Sequence, residues 1–141
     1  MKLNEINHIT FSVSDIDKAT EFYEKVFGAK LLVKGEKLSY FDLDGLWIAL
    51  NVEKDIPRND IYKSYTHISF TINESDYDDI HKKLIKLGVD IIESRPRHDD
   101  EGKSIYFRDL DGHLFEFHTK NRDDRIEHYK KTKKYLNFSN L

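Results

Sequence analysis

Residues 7–13 read NHITFSV and residues 66–72 read THISFTI. Each stretch places a His directly before the same alternation of apolar and hydroxyl residues. In the first, Ile9, Phe11 and Val13 fall on one side of an extended chain, and His8, Thr10 and Ser12 on the other. In the second, Ile68, Phe70 and Ile72 oppose His67, Ser69 and Thr71. This is the pattern of a half-buried strand. The segments after the two strands are also alike. SDIDKATEFYEKVFGAK carries Ile16, Ala19, Phe22, Tyr23, Val26 and Phe27 at helical spacing, with Ser14 or Asp15 to cap its start and Gly28 at its end. SDYDDIHKKLIKLGVDI predicts a second capped helix, ending at Gly88. Three strands then complete each half: KLLVKG, LSYFDL and GLWIALN in the first, VDIIES, KSIYFRD and GHLFEFHT in the second. Asp44-Gly45 and Asp111-Gly112 mark turns. An internal repeat governs the fold. The chain is expected to be α+β, built from two tandem βαβββ modules.

The modules span about residues 4–55 and about 64–120 of one domain covering 1–141. The linker EKDIPRNDIYKSY holds Pro57 and is expected to be loop. Residues 121–141 lie outside the repeat; Ile126 and Tyr129 are the only apolar residues of their helical part, which predicts a surface helix and a charged tail.

Charged residues make up 35% of the chain and hydrophobic ones 38%, the balance of a soluble globular protein. No apolar run approaches the roughly 20 residues of a membrane span, and MKLNEINHIT lacks a leader's apolar core, so a cytoplasmic, membrane-free protein is expected. The formal net charge of −3 argues against a nucleic-acid partner. There is no Cys, which removes disulfides, thiolate metal sites and a Cys nucleophile. Any metal site must use imidazole and carboxylate.

Such a set exists. In a repeated fold the two sheets surround a pseudo-twofold axis and a central cleft, so His8 and His67, equivalent in the repeat, are expected to converge. In GHLFEFH, Leu114, Glu116 and His118 share a face, and Phe115 and Phe117 take the other. A carboxylate in a buried strand is costly unless paired or metal-bound. His8, His67 and Glu116 are therefore candidate metal ligands with open coordination positions, suited to Mn²⁺, Mg²⁺ or Fe²⁺ better than to a structural Zn²⁺. Counted from the shared Gly, Glu116 matches Ala49 in GLWIALN, so the first module offers a methyl there. Taken singly, each His reads as a strand-end residue and Glu116 as the partner of a basic residue; the repeat relation favours metal. His118 is placed to support Glu116, while His81, His98, His113 and His128 read as surface or supporting residues.

These residues resemble the vicinal oxygen chelate superfamily, which includes glyoxalases, extradiol dioxygenases and fosfomycin resistance enzymes. Within it, GLWIALN, EKDIPRNDI, SYTHISF, SIYF, DGHLFEFHT and DRIEHYKK resemble the FosB-type metallothiol transferases, from about Ile6 to Lys131. The resemblance implies metal-dependent transfer of a low-molecular-weight thiol, bacillithiol by preference, to the epoxide of fosfomycin. It implies Mn²⁺ or Mg²⁺ on His8, His67 and Glu116. Arg125 would hold the phosphonate, Tyr65 and Tyr106 would hydrogen-bond the drug with Ser104 nearby, and Thr10, Tyr40, Trp47 and Asn51 would line the pocket. It also implies a homodimer, in which the paired sheets often come from different chains.

The strand pattern independently places Thr10 with His8, Trp47 and Asn51 with Ala49, and Tyr106 with Ser104. The loop RPRHDDEGKSIYF departs from the FosB pattern and resembles that of the FosX-type hydrolases, which add water to the same epoxide. Those enzymes carry a general-base Glu in a longer segment before the equivalent of GLWI. GEKLSYFDLDGLW is short and offers no matching Glu, which favours a thiol; the loop leaves the choice of thiol open. The alternatives are an epoxide hydrolase, a non-catalytic drug-sequestering protein and a ring-cleaving dioxygenase.

Overall fold

The structure, a computed structural model, describes residues 1–139; the last two residues of the expected tail lie outside the described residues. The chain forms two compact units. Residues 1–65 with 108–113 make the first, and 66–107 with 114–141 the second.

In the first unit, β1 (His8–Val13), α1 (Ile16–Phe27), β2 (Lys30–Lys34), β3 (Leu38–Leu43) and β4 (Leu46–Val52) follow in order. Asp15 caps α1, its Oδ1 accepting from Lys18 N at 3.0 Å. Gly28 ends the helix in the left-handed region at φ 65°. The sheet order is β1-β4-β3-β2, with β1 parallel to β4 and the other pairs antiparallel. α1 lays Ile16, Ala19, Tyr23 and Val26 on β3 and β4, over the fully buried Phe41 and Leu50. The expected linker loop contains one short helix, α2 (Asn59–Lys63). Pro57 stands just outside its start, so the ring bars no helical hydrogen bond.

The second unit repeats the plan: β5 (His67–Thr71), α3 (Tyr77–Lys86), β6 (Asp90–Ile92), β7 (Ser104–Arg108) and β8 (Leu114–His118), ordered β5-β8-β7-β6, with β5 parallel to β8. The expected side-chain cap of the second helix is not formed. A 3₁₀ turn over Glu74–Asp76 leads into α3, so Asp76 already has helical backbone, and Asn73 Nδ2 donates to its Oδ2 at 3.0 Å. A capping residue needs extended backbone and a free oxygen. The surface helix is α4 (Arg122–Thr132), opened by a capping box in which Asn121 and Asp124 bond each other's backbone N–H.

The turn between β7 and β8 belongs to the first unit. Ser14 N donates to both oxygens of Asp111 at 3.1 Å, and Arg58 Nε lies 3.4 Å from Asp111 Oδ1. Tyr23 OH donates to the buried Asp109 at 2.8 Å, and burial pushes the Asp109 carboxyl above its ordinary range. No described helix is long and apolar enough to cross a membrane.

Candidate metal and substrate site

The strand registers give the repeat a physical meaning. His8 pairs with Trp47 and Thr10 with Ala49 across β1 and β4; His67 pairs with Leu114 and Ser69 with Glu116 across β5 and β8. Each His therefore opens a strand whose residue two places on faces either Ala49 or Glu116. Tyr40 pairs with Ala49 from β3, and Ser12 and Leu38 both pair with Asn51. Residues opposite one another across a ladder share a sheet face. The expected pocket residues Thr10, Tyr40, Trp47 and Asn51 thus gather with His8 around Ala49. The His8 and Trp47 rings lie 4.6 Å apart, and Trp47 meets Tyr40 edge-on at 5.2 Å. His8 is exposed, and its Nδ1 sits 2.7 Å from Asn7 Oδ1. Tyr65 also belongs to this unit and is 69% exposed.

In the second unit the equivalent face is a buried polar network. Glu116 is 6% exposed on a strand buried throughout. Its Oε1 lies 3.7 Å from His67 Nε2, and Ser104 Oγ donates to its Oε2 at 2.6 Å. Burial alone would raise the Glu116 carboxyl, but hydrogen bonds from Ser104, Tyr106 and Ser69 hold it below its ordinary range. An ionised Glu116 accepts only, so the single Ser104 proton is committed to it. Ser104 Oγ must then accept from His118 Nδ1, 2.7 Å away. That puts the His118 proton on Nδ1 and leaves Nε2 to accept from Arg125 Nη2 at 3.2 Å. Burial, with Arg125 and Arg97 nearby, lowers the His118 pKa despite Glu116, in keeping with the neutral ring this chain requires. Donation thus runs from Arg125 through His118 and Ser104 to Glu116.

Arg97 is a further member. Its Nη2 donates to Tyr106 OH at 3.2 Å and lies 3.7 Å from Glu116 Oε2. No periodic signal in the sequence marks it, since Arg97 is one charge in a charged loop. Arg125 Nη1 reaches Tyr129 OH at 3.4 Å.

His67, Ser104, Tyr106, Glu116 and Arg125 are thus gathered in the second unit, whereas His8, Thr10, Tyr40, Trp47, Asn51 and Tyr65 belong to the first. Among the described residues, no group of three or more His, Cys, Asp or Glu side chains is set to hold a metal. The His67–Glu116 pair is nonetheless suited to one ion. Its 3.7 Å separation is within reach of two atoms each about 2.1 Å from a shared cation. The imidazole–carboxylate donor set fits a hard or borderline divalent metal.

Residues 5–117 match the family profile described as the Glyoxalase/Bleomycin resistance protein/Dioxygenase superfamily. The metallothiol transferase FosB of Lysinibacillus sphaericus is 58% identical over 140 residues, covering 99% of both chains. That of Staphylococcus epidermidis is 52% identical over 94% of this chain and 96% of its own. The chain belongs to the FosB metallothiol transferase family within that superfamily. Among solved structures, fosfomycin resistance protein FosX from Listeria monocytogenes, complexed with Mn(II) and sulfate ion, superposes with a TM-score of 0.79. It is 33% identical, covering 91% of this chain and 99% of its own. The tandem modules read from the repeat are the fold of this family, and a FosX of the same fold holds Mn(II), in keeping with a divalent metal.

Proposed function

We propose that this protein is a fosfomycin resistance enzyme that adds a low-molecular-weight thiol, bacillithiol by preference, to the drug's epoxide. The observation that carries the reading is the buried, ionised Glu116 held beside His67 by a one-way chain of donors, in a chain 58% identical to a FosB transferase. A carboxylate so buried is stable where a cation answers it.

His67 and Glu116 would hold a divalent metal, Mn²⁺ or Mg²⁺, with His8 as third ligand. A homodimer would supply His8 from a second copy. The bound cation supplies Lewis acidity to the epoxide oxygen. The protein's groups do the rest. Arg125 and the tyrosines Tyr65 and Tyr106 orient the phosphonate, for which a guanidinium offers bidentate geometry. The face around Ala49, with Thr10, Tyr40, Trp47 and Asn51, takes the body of the drug. Holding thiol and epoxide together removes the entropy cost of their encounter. The thiolate sulfur bonds to an epoxide carbon, the carbon–oxygen bond breaks, and the oxygen takes a proton from solvent. No protein nucleophile is needed, in agreement with the zero Cys count. The reaction needs a reduced thiol, which the cytoplasm maintains.

The test is one incubation series of protein, fosfomycin and Mn²⁺ or Mg²⁺, with bacillithiol, cysteine, glutathione or no thiol, read by product mass. A thiol adduct is expected, fastest with bacillithiol. A diol in the absence of thiol would replace this reading with a hydrolase, and unchanged drug in every mixture would replace it with binding.

A further inference from the structure

Residues 129–138 read YKKTKKYLNF, which sets four lysines within five positions and no acidic residue among them. The chain has 23 basic and 26 acidic residues, so without these four it stands at 19 against 26, a balance of −7. Positive charge is thus concentrated at one place on an acidic protein. Lys130, Lys131 and Lys133 stand at the end of α4, where cations answer the helix dipole. Lys134 lies past it, and the dipole does not account for the apolar residues that follow. Lys130 is 3.5 Å from Glu127, and Lys133 sits over the Tyr129 ring. Lys131 and Lys134 are exposed and have no acidic partner among the described residues.

Leu136 N donates to Lys133 O at 3.0 Å, so the chain turns tightly after α4. Beyond the turn Tyr135 is 77% exposed, Leu136 37% and Phe138 36%. A cavity of about 450 Å³ opens between residues 137–139 and the side of α4 that carries Ile126 and Lys130. The segment therefore stands off the helix and leaves three large apolar side chains in reach of solvent beside the four cations. That combination suits the boundary of an anionic bilayer. Ammonium groups meet lipid phosphates there, and amphipathic rings settle at headgroup level. Single-stranded nucleic acid also takes cations and rings, but it stacks bases on ring faces, and Leu136 has none. Neither a long apolar helix nor a leader is needed to lie on a membrane from one side. The acidic remainder of the chain does not forbid the contact, since exposed charges beyond about 8 Å are screened at physiological salt. We infer that residues 130–138 are a peripheral docking surface for an anionic lipid bilayer, with the four lysines on headgroup phosphates and Tyr135, Leu136 and Phe138 in the interface. The contact is reversible and independent of the chemistry at Glu116.

The test is co-sedimentation of the full chain with phosphatidylcholine vesicles, with and without phosphatidylglycerol. Binding is expected only where phosphatidylglycerol is present, and it should fall as salt is raised. Each lysine near such a surface contributes roughly fivefold to the partition, so Lys131→Gln with Lys134→Gln should lower it roughly 30-fold. Tyr135→Ser with Phe138→Ser should lower it roughly tenfold, a loss that a purely ionic contact would not show. All four side chains are exposed, so folding and turnover should stay at wild-type levels in both variants. Lys82→Gln with Lys86→Gln removes the same charge from the exposed side of α3 and should leave binding unchanged. No binding by the wild type, or equal loss in the α3 pair, would overturn the inference. Preference for a single-stranded oligothymidylate over the vesicles, with the same dependence on Lys131 and Lys134, would overturn it in favour of a nucleic acid.

Discussion

Thr10 pairs with Ala49 in the first module, and Ser69 pairs with Glu116 at the same register in the second. Around Ala49 stand an exposed His8, an indole, a phenol and an amide, and the rings meet one another at 4.6 and 5.2 Å. Around Glu116 stand Ser104, His118, Arg97 and Arg125, linked at 2.6–3.2 Å or held within 3.7 Å. One backbone plan has therefore been filled in two ways. The second copy presents a buried carboxylate in a hydrogen-bonded polar network, and the first presents a more open aromatic face and one further imidazole. Duplication supplies equivalent positions, and under the proposed function divergence at one of them would separate holding an ion from receiving a substrate.

The sharpest way to break the comparison is to make the second module resemble the first. Glu116→Ala, and separately His67→Ala or His8→Ala, should lower thiol transfer by about two orders of magnitude or more, the scale of a lost Lewis acid. Steady-state rates with saturating Mn²⁺ check this. Wild-type-like turnover in Glu116→Ala, or in metal-stripped protein, would sink the metal assignment.

A smaller effect separates the ligand from its supports. Ser104→Ala removes the donor to Glu116, and His118→Phe removes the donor to Ser104 while keeping a ring in place. Each should weaken Mn²⁺ binding by about 10–100-fold, the usual cost of losing a group that orients a ligand. Calorimetric titration of Mn²⁺ measures it, and unchanged affinity in both variants would show the relay to be incidental.

How far these roles could be read from sequence differs by residue. The repeat alone placed His8 and His67 at equivalent strand positions, put Glu116 on the polar face of the second module's last strand and predicted both sheets, because a period of two is imposed by the backbone. It also marked Ala49 as the odd partner of Glu116. Arg97 was invisible, since its role comes from a loop folding inward and loops carry no periodicity. The His118 tautomer was equally hidden, because it follows from counting donors in three dimensions. The side-chain cap expected for the second helix does not form because Asp76, just before α3, has its side chain engaged by Asn73 and its backbone already helical.

The paired Asp-Gly turns sharpen the comparison in terms of stability. Gly45 and Gly112 have φ of 89° and 91°, so a side chain at either is strained. A Cβ at Gly45 meets nothing within 4 Å, whereas at Gly112 it would lie 2.7 Å from the Tyr62 ring. Gly45→Ala should cost about 1–2 kcal/mol from backbone conformation alone. Gly112→Ala should cost a further ~1–3 kcal/mol as the ring is displaced. Thermal unfolding of both variants tests this, and a Tyr62→Ala background should erase the difference between them. A difference that persists there would place the cost elsewhere.

The smallest predicted effect concerns a loop much longer than its counterpart in the first module. There, residues 35–37 join β2 to β3, whereas residues 93–103 join β6 to β7. Glu101, 6% exposed, ties the long loop down. It binds Arg95, accepts from His98 N at 3.0 Å and lies 4.0 Å from His128 Nε2. The Arg95 hydrogen bond and the His98 amide hold its carboxyl down at about 2. A carboxyl depressed on folding contributes stability above its unfolded pKa of about 4.3, and that contribution drains as pH falls through the folded value. Glu101→Gln should therefore unfold at lower temperature than the wild type at pH 6, and the gap should narrow between about pH 4.3 and pH 2. Subtracting the two melting curves cancels the titration of every other carboxylate. A gap constant across that window would mean that Glu101 acts through shape alone, and the long loop would then be held by packing, unlike the short one, whose ends are tied by backbone hydrogen bonds from Gly35 N to Leu38 O and from Val52 N to Lys37 O.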